Sequence, residues 1–145
     1  MMQVKTLLLA GLLLIGLTAQ AIAAMPAPVL QFDGTEEYQI GATTWVRYKL
    51  SVVNRANFDP ALFTPAPYLP PCGANANSAR AWVDIHNGRK PYARIYGFCA
   101  LGSNNDLGSL WFAVEKGKRP PRLVFIKITD RRAKETVSSN RVATN

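Results

Sequence analysis

Between residues 44 and 53 apolar and polar side chains alternate strictly. Val46, Tyr48, Leu50 and Val52 share one phase, and Trp45, Arg47, Lys49 and Ser51 share the other. A period of two is the signature of a strand with one face on a core and one toward solvent, so Thr44 to Val53 predicts a half-buried antiparallel strand. The pattern recurs in shorter form. Ala81, Val83 and Ile85 share a phase within 81–86; Ile95, Cys99 and Leu101 within 92–101; Leu110, Phe112 and Val114 within the next run; Val124, Ile126 and Ile128 within 123–129. Val29 to Asp33 predicts a first edge strand and Thr136 to Val142 a weaker one. Gly34 to Gly41, Asn87-Gly88, Gly102 to Gly108, Glu115 to Pro121 and Asp130 to Lys134 carry the polar, Gly and Pro composition of turns. No stretch shows a strong helical period. About seven short strands separated by turn signals predict an all-β protein, a single antiparallel β-sandwich.

Two stretches break the alternation. Residues 54–71 contain Pro60, Pro65, Pro67, Pro70 and Pro71. Proline fixes φ and cannot donate to a ladder, so this is a conformationally restricted loop. Its apolar members Phe58, Leu62, Phe63, Tyr68 and Leu69 predict packing over one end of the domain, with one helical turn near Asp59 to Phe63. The other stretch is the start of the chain. Lys5 precedes an apolar run to Leu17, and Ala21-Ile22-Ala23 fits a small-x-small cleavage site, the order of a secretory leader. The run is shorter than the about 20 residues of a comfortable span, although an uncleaved anchor helix is the alternative. The reading is residues 1–23 as signal peptide and 24–145 as one β-sandwich domain, exported to the periplasm or beyond, with no transmembrane segment after cleavage.

Charge sharpens this picture. The chain has 17 Lys and Arg against 9 Asp and Glu, and without Lys5 the basic count is 16. From Glu115 onward nine basic residues face only Glu115, Asp130 and Glu135. A surface of that sign attracts polyanions. Outside the cytoplasm these are envelope lipids, wall polymers or acidic proteins rather than a specific nucleic acid. Lys116, Lys118, Arg119 and Arg122 cluster around Gly117 and Pro120-Pro121, a turn expected to project into solvent and a candidate binding site. A merely solvated basic face is the plainer alternative. Trp45, Trp82 and Trp111 each fall opposite the apolar phase of their strand and are candidate binding residues too, unless the proline-rich loop covers them.

Catalytic and metal chemistry is harder to assemble. Two cysteines in an exported chain predict a Cys72–Cys99 disulfide. Such a bridge stabilises by roughly 3–4 kcal/mol in the chain-entropy model. No Cys-x-x-Cys motif supports a reactive thiol pair. His86 is the single histidine. Asp84 and a serine could formally join it, but no Gly-x-Ser-x-Gly elbow exists, and the ligands of a usual zinc site are missing. Asn75, Asn77 and Asp84, or Asn104, Asn105 and Asp106, supply hard oxygens without the spacing of an EF-hand loop, and read as turn residues rather than as a calcium site. No cofactor and no metal are expected.

The strand number and spacing over roughly residues 28 to 143 resemble immunoglobulin-like or fibronectin type III-like secreted β-sandwich domains. A tryptophan between two cysteines, the immunoglobulin pattern, is loosely met by Cys72, Trp82 and Cys99, with Cys72 displaced into the proline-rich loop. The segments Leu-Pro-Pro-Cys-Gly-Ala-Asn, Tyr-Gly-Phe-Cys-Ala-Leu and Leu-Trp-Phe-Ala-Val also look like those of small exported bacterial proteins. Neither likeness carries an activity. The functional expectation is an exported non-catalytic binding or accessory module that contacts an anionic envelope polymer or a protein partner. An enzyme acting on a cell-wall or extracellular polymer is the first alternative; its carboxylates would include Asp84 and Asp106. A disulfide-tied inhibitor is the second.

Overall fold

The computed structural model describes residues 24–62, 80–95 and 107–145, and the backbone of 98–99. Residues 1–23, half of the proline-rich stretch 54–71, and Cys72, Asn75, Asn77, Asn104, Asn105 and Asp106 lie outside the described residues. Among the described residues eight strands form two antiparallel sheets. They are β1 (Leu30–Ile40), β2 (Thr43–Val52), β3 (Ala81–Asn87), β4 (Phe98–Cys99), β5 (Leu110–Glu115), β6 (Leu123–Asp130), β7 (Glu135–Ser138) and β8 (Val142–Ala143). The first sheet has the order β1-β2-β5-β4. In the second, β3 pairs one side of β6, and β7 and β8 pair the other side in succession.

The alternation read from the sequence places the core. Tyr48, Leu50 and Val52 from β2 and Leu110 and Phe112 from β5 are buried on one sheet. Ala81, Val83 and Ile85 from β3 and Val124, Ile126 and Ile128 from β6 are buried on the other. All belong to one apolar cluster, so the two sheets pack face to face as a sandwich. Two single turns of 3-10 helix, Arg55–Asn57 and Pro60–Leu62, follow β2 and seat Phe58 and Leu62 in the same cluster. Phe63, Tyr68 and Leu69, the other apolar residues of that stretch, lie outside the described residues.

Three strand expectations differ in detail. Residues 34–40 read as turn, yet β1 runs through them to Ile40 and pairs with β2 along its full length. The segment has few apolar residues because this half of the hairpin is mostly exposed; a two-residue loop with Gly41 at φ 59° closes it. A register shift between Phe32 and Gly34 lets β1 change phase. The expected strand over 92–101 is divided. Arg94 bridges His86 and Ile95 donates to the Ile85 carbonyl in the second sheet, whereas β4 joins β5 in the first. The expected edge strand over 136–142 is two short strands, β7 and β8, separated at Ser139 to Arg141.

That separation has a purpose in the fold. Asn140 Oδ1 accepts from the Leu30 N–H at 2.7 Å, and Asn140 Nδ2 donates to the Leu30 carbonyl at 3.0 Å. One amide side chain thus satisfies both backbone groups of a buried residue and ties the edge of one sheet to the other.

Candidate functional site

The basic turn follows β5. Glu115 to Arg119 are all exposed, and the Lys118 N–H donates to the Glu115 carbonyl at 3.0 Å. The turn needs φ 92° at Gly117, a value costly for any residue with a Cβ. Its base is held by the chain's end: the Thr144 N–H donates to the Arg122 carbonyl and the Thr144 hydroxyl to that of Pro121. Lys116 pairs with Glu37 at 2.8 Å. Both side chains are more than half exposed, so that pair is worth little. Lys118, Arg119 and Arg122 have no ion-pair partner among the described residues. The turn therefore holds three uncompensated cations on a short support fixed at both ends.

The tryptophans lie on outer faces, as the alternation predicts, and are half-buried. They do not form one patch. Trp45 and Trp111 lie on the outer face of the first sheet, Trp82 on that of the second, on opposite sides of the sandwich. Trp111 is one wall of a stack that the sequence did not reveal. The Arg47 guanidinium lies 4.4 Å from the Trp111 ring centroid and 4.7 Å from that of Tyr38. Arg47 also pairs with Glu36 at 3.6 Å, while its buried Nε finds no hydrogen-bond partner. Tyr38 sits in the segment that read as turn, which is why the stack was hidden.

The second sheet repeats the device. Arg131 lies 4.5 Å from the Trp82 ring, and the Trp82 indole N–H donates to Asp84 at 3.0 Å. Asp84 takes Arg94 at 3.2 Å on its other oxygen. His86 stacks on Phe125 with centroids 5.2 Å apart, and its Nδ1 donates to the Tyr92 carbonyl at 2.9 Å. Arg141 covers Tyr92 at 5.0 Å. Asp84 and His86 share a face, but each is committed elsewhere, so they form no acid–base pair. Among the described residues no group of three or more His, Cys, Asp or Glu side chains converges on a point. Cys99 lies in β4 opposite Trp111; its expected partner Cys72 is outside the described residues.

A separate ion pair anchors the start of β3. Arg80 donates to both oxygens of Asp130, with a shortest contact of 2.6 Å, and Asp130 also accepts from the N–H groups of Arg132 and Ala133. The hydrogen bonds from Arg80, then those from the two backbone N–H groups, hold the Asp130 carboxyl below its usual range against the opposing effect of burial. A depressed folded pKa contributes stability above the unfolded value of about 3.9, and the contribution disappears as pH falls through the folded value. Asp130→Asn is thus expected to lower stability at neutral pH and to flatten the loss of stability below about pH 4. Denaturant titrations of both proteins across that range check it; parallel acid limbs would contradict the assignment.

Comparison with protein-family models, with curated proteins and with solved structures gave no match for this chain. Among the described residues no helix is long and apolar enough to cross a membrane.

Proposed function

We propose that this chain is an exported, non-catalytic binding or accessory module that engages an anionic polymer of the cell envelope through the turn after β5. One observation carries the reading: Lys118, Arg119 and Arg122 stand exposed and without ion-pair partners among the described residues on a turn whose base is fixed by Thr144. Closely spaced cations on a stiff support give a concentrated positive potential without an entropy cost of gathering them. The leader, with cleavage near Ala23, and a Cys72–Cys99 bridge belong to the same reading. So does a periplasmic or extracellular location. The geometry of His86 and Asp84 favours binding over catalysis at the one place where the sequence brought an acid and a base together.

The test is co-sedimentation of the mature protein with isolated envelope. Lys118→Gln, Arg119→Gln and Arg122→Gln together are expected to abolish binding without changing the thermal midpoint, since none lies in an apolar phase. Wild-type binding is expected to fall with salt, because the Debye length shrinks from about 10 Å at 0.1 M to about 3 Å at 1 M. Equal sedimentation of both proteins, or binding indifferent to salt, would overturn the electrostatic site and direct attention to Trp45 and Trp111.

A further inference from the structure

The segment that would begin the mature chain is seated rather than free. The Met25 main-chain nitrogen lies 3.1 Å from each oxygen of Glu135, on β7, a contact 110 residues apart in sequence. Ala24, Met25 and Pro26 form one wall of an open cleft of about 300 Å³. Among the described residues the charged groups facing them are Asp59 after the first 3-10 turn, Arg80 before β3, Asp130 at the end of β6 and Glu135 at the start of β7. Arg80 is spent on Asp130. Asp59 accepts from the Ala61 N–H. Among the described residues Glu135 has only the Met25 N–H, and it divides that one proton between two oxygens. Three carboxylates against one guanidinium make this a locally acidic place on a chain whose formal charge is +8. A single amide hydrogen is a poor match for a carboxylate presented with both oxygens. An ammonium group, with three donors, is a good one.

We propose that proteolysis between Ala23 and Ala24 creates the missing cation: the new α-ammonium of Ala24 is clamped in this cleft by Glu135, so that leader removal completes an ion pair between the two ends of the domain. The inference rests on the export reading above for the cut itself. In that step water is the co-reactant and an envelope peptidase the catalyst. The Ala23 carbonyl to Ala24 nitrogen bond breaks, the hydroxyl of water goes to Ala23 as a carboxylate, and the nitrogen leaves as an amine that protonates. The nitrogens of Ala24 and Met25 are separated only by the Ala24 α-carbon and carbonyl carbon, so the new charge arises within reach of the Glu135 carboxylate that the Met25 N–H already meets. Before cleavage the same nitrogen is a neutral amide and supplies no charge. A protonated amine beside a carboxylate titrates higher than in the unfolded chain. Its contribution to stability is therefore full below the unfolded value of about 8 and fades as pH rises through the folded one.

The experiment compares two chains, one beginning at Ala24 and one extended by Gly-Ser before Ala24, each with Glu135, Glu135→Asp or Glu135→Gln. The α-amine of the Ala24 chain is expected to titrate about one unit above its ordinary range, followed by NMR, and to return to that range in Glu135→Gln. Glu135→Asp, which keeps the charge, is expected to retain part of the rise. Glu135→Gln should lower the thermal midpoint more in the Ala24 chain than in the extended one, with the difference fading through about pH 9 and gone above about pH 10 as the amine loses its proton. An α-amine with an ordinary pKa, or an equal effect of Glu135→Gln in both chains, would overturn the clamp and leave a plain amide-to-carboxylate hydrogen bond. Intact-mass analysis of exported protein tests the cut independently. A start other than Ala24 overturns the assigned bond, and full-length cytoplasmic protein overturns the export reading, whatever the α-amine shows.

Discussion

Phe112→Ala is expected to destabilise the domain by about 3–5 kcal/mol, the cost of a large cavity in a close-packed core. Phe112 has no exposed surface and lies at the centre of the first sheet. Its ring stacks on Tyr48 with centroids 4.9 Å apart and planes within 6°. Tyr48 in turn stacks on Phe32 at 6.4 Å, so the substitution removes the middle contact between β5 and the hairpin of β1 and β2. Neighbours held in a twisted sheet cannot collapse far into the space, which keeps the cost near the upper end. Urea unfolding at constant m-value measures it. A loss under about 1 kcal/mol would show that the site relaxes freely and that Phe112 is not the centre of this face. Phe112→Leu should cost markedly less, because most of the volume remains.

Asn140→Ala comes next in size, at about 1–3 kcal/mol, for a different reason. Alanine removes no core volume. It strands the Leu30 N–H and carbonyl, which Asn140 serves at 2.7 and 3.0 Å beside a side chain that is 3 % exposed. Both bonds are half-buried and Asn140 itself is exposed, so the loss is that of two hydrogen bonds worth about 0.5–1.5 kcal/mol each rather than a full desolvation penalty. The Leu30 amide should then lose protection against hydrogen exchange while amides at the centre of β6 keep theirs relative to the global stability. Asn140→Asp should fall between wild type and alanine: it preserves an acceptor for the N–H and sets a second acceptor against the carbonyl. Unchanged exchange at Leu30 would show that another group takes over this role.

The two variants fall on opposite sides of what could be read from residues alone. Phe112 was legible as a core residue, because Leu110, Phe112 and Val114 alternate with Trp111 and Ala113, and a period of two says which side faces in. The outward phase of all three tryptophans followed by the same rule. Asn140 was not legible. It is one polar residue among Ser138, Ser139 and Asn140, and its value depends on a backbone 110 positions away. Tyr38 was misread for a related reason. Its neighbours Glu36, Glu37 and Gln39 have the composition of a turn, and only pairing with β2 makes the segment a strand.

Of the candidate site, residue identity was readable and grouping was not. Lys118, Arg119 and Arg122 stand together because they are close in the chain and a glycine–proline turn keeps them outside the ladders. Trp45, Trp82 and Trp111 look alike in sequence, but sheet membership divides them between two faces. The contacts of Arg47, Arg80 and Glu135 were likewise not readable, because their partners lie far away in the chain. Alternation, turn composition and charge runs are local properties, set by side-chain period and φ preference, and these determined the all-β class, the inward faces and the basic turn. Sheet order, register and cross-sheet contacts are set by which distant backbones share hydrogen bonds, and a one-residue slip would put every side chain on the other face. Only the tertiary structure decided that Arg47 lies between Tyr38 and Trp111, that Asn140 serves Leu30, and that Met25 meets Glu135.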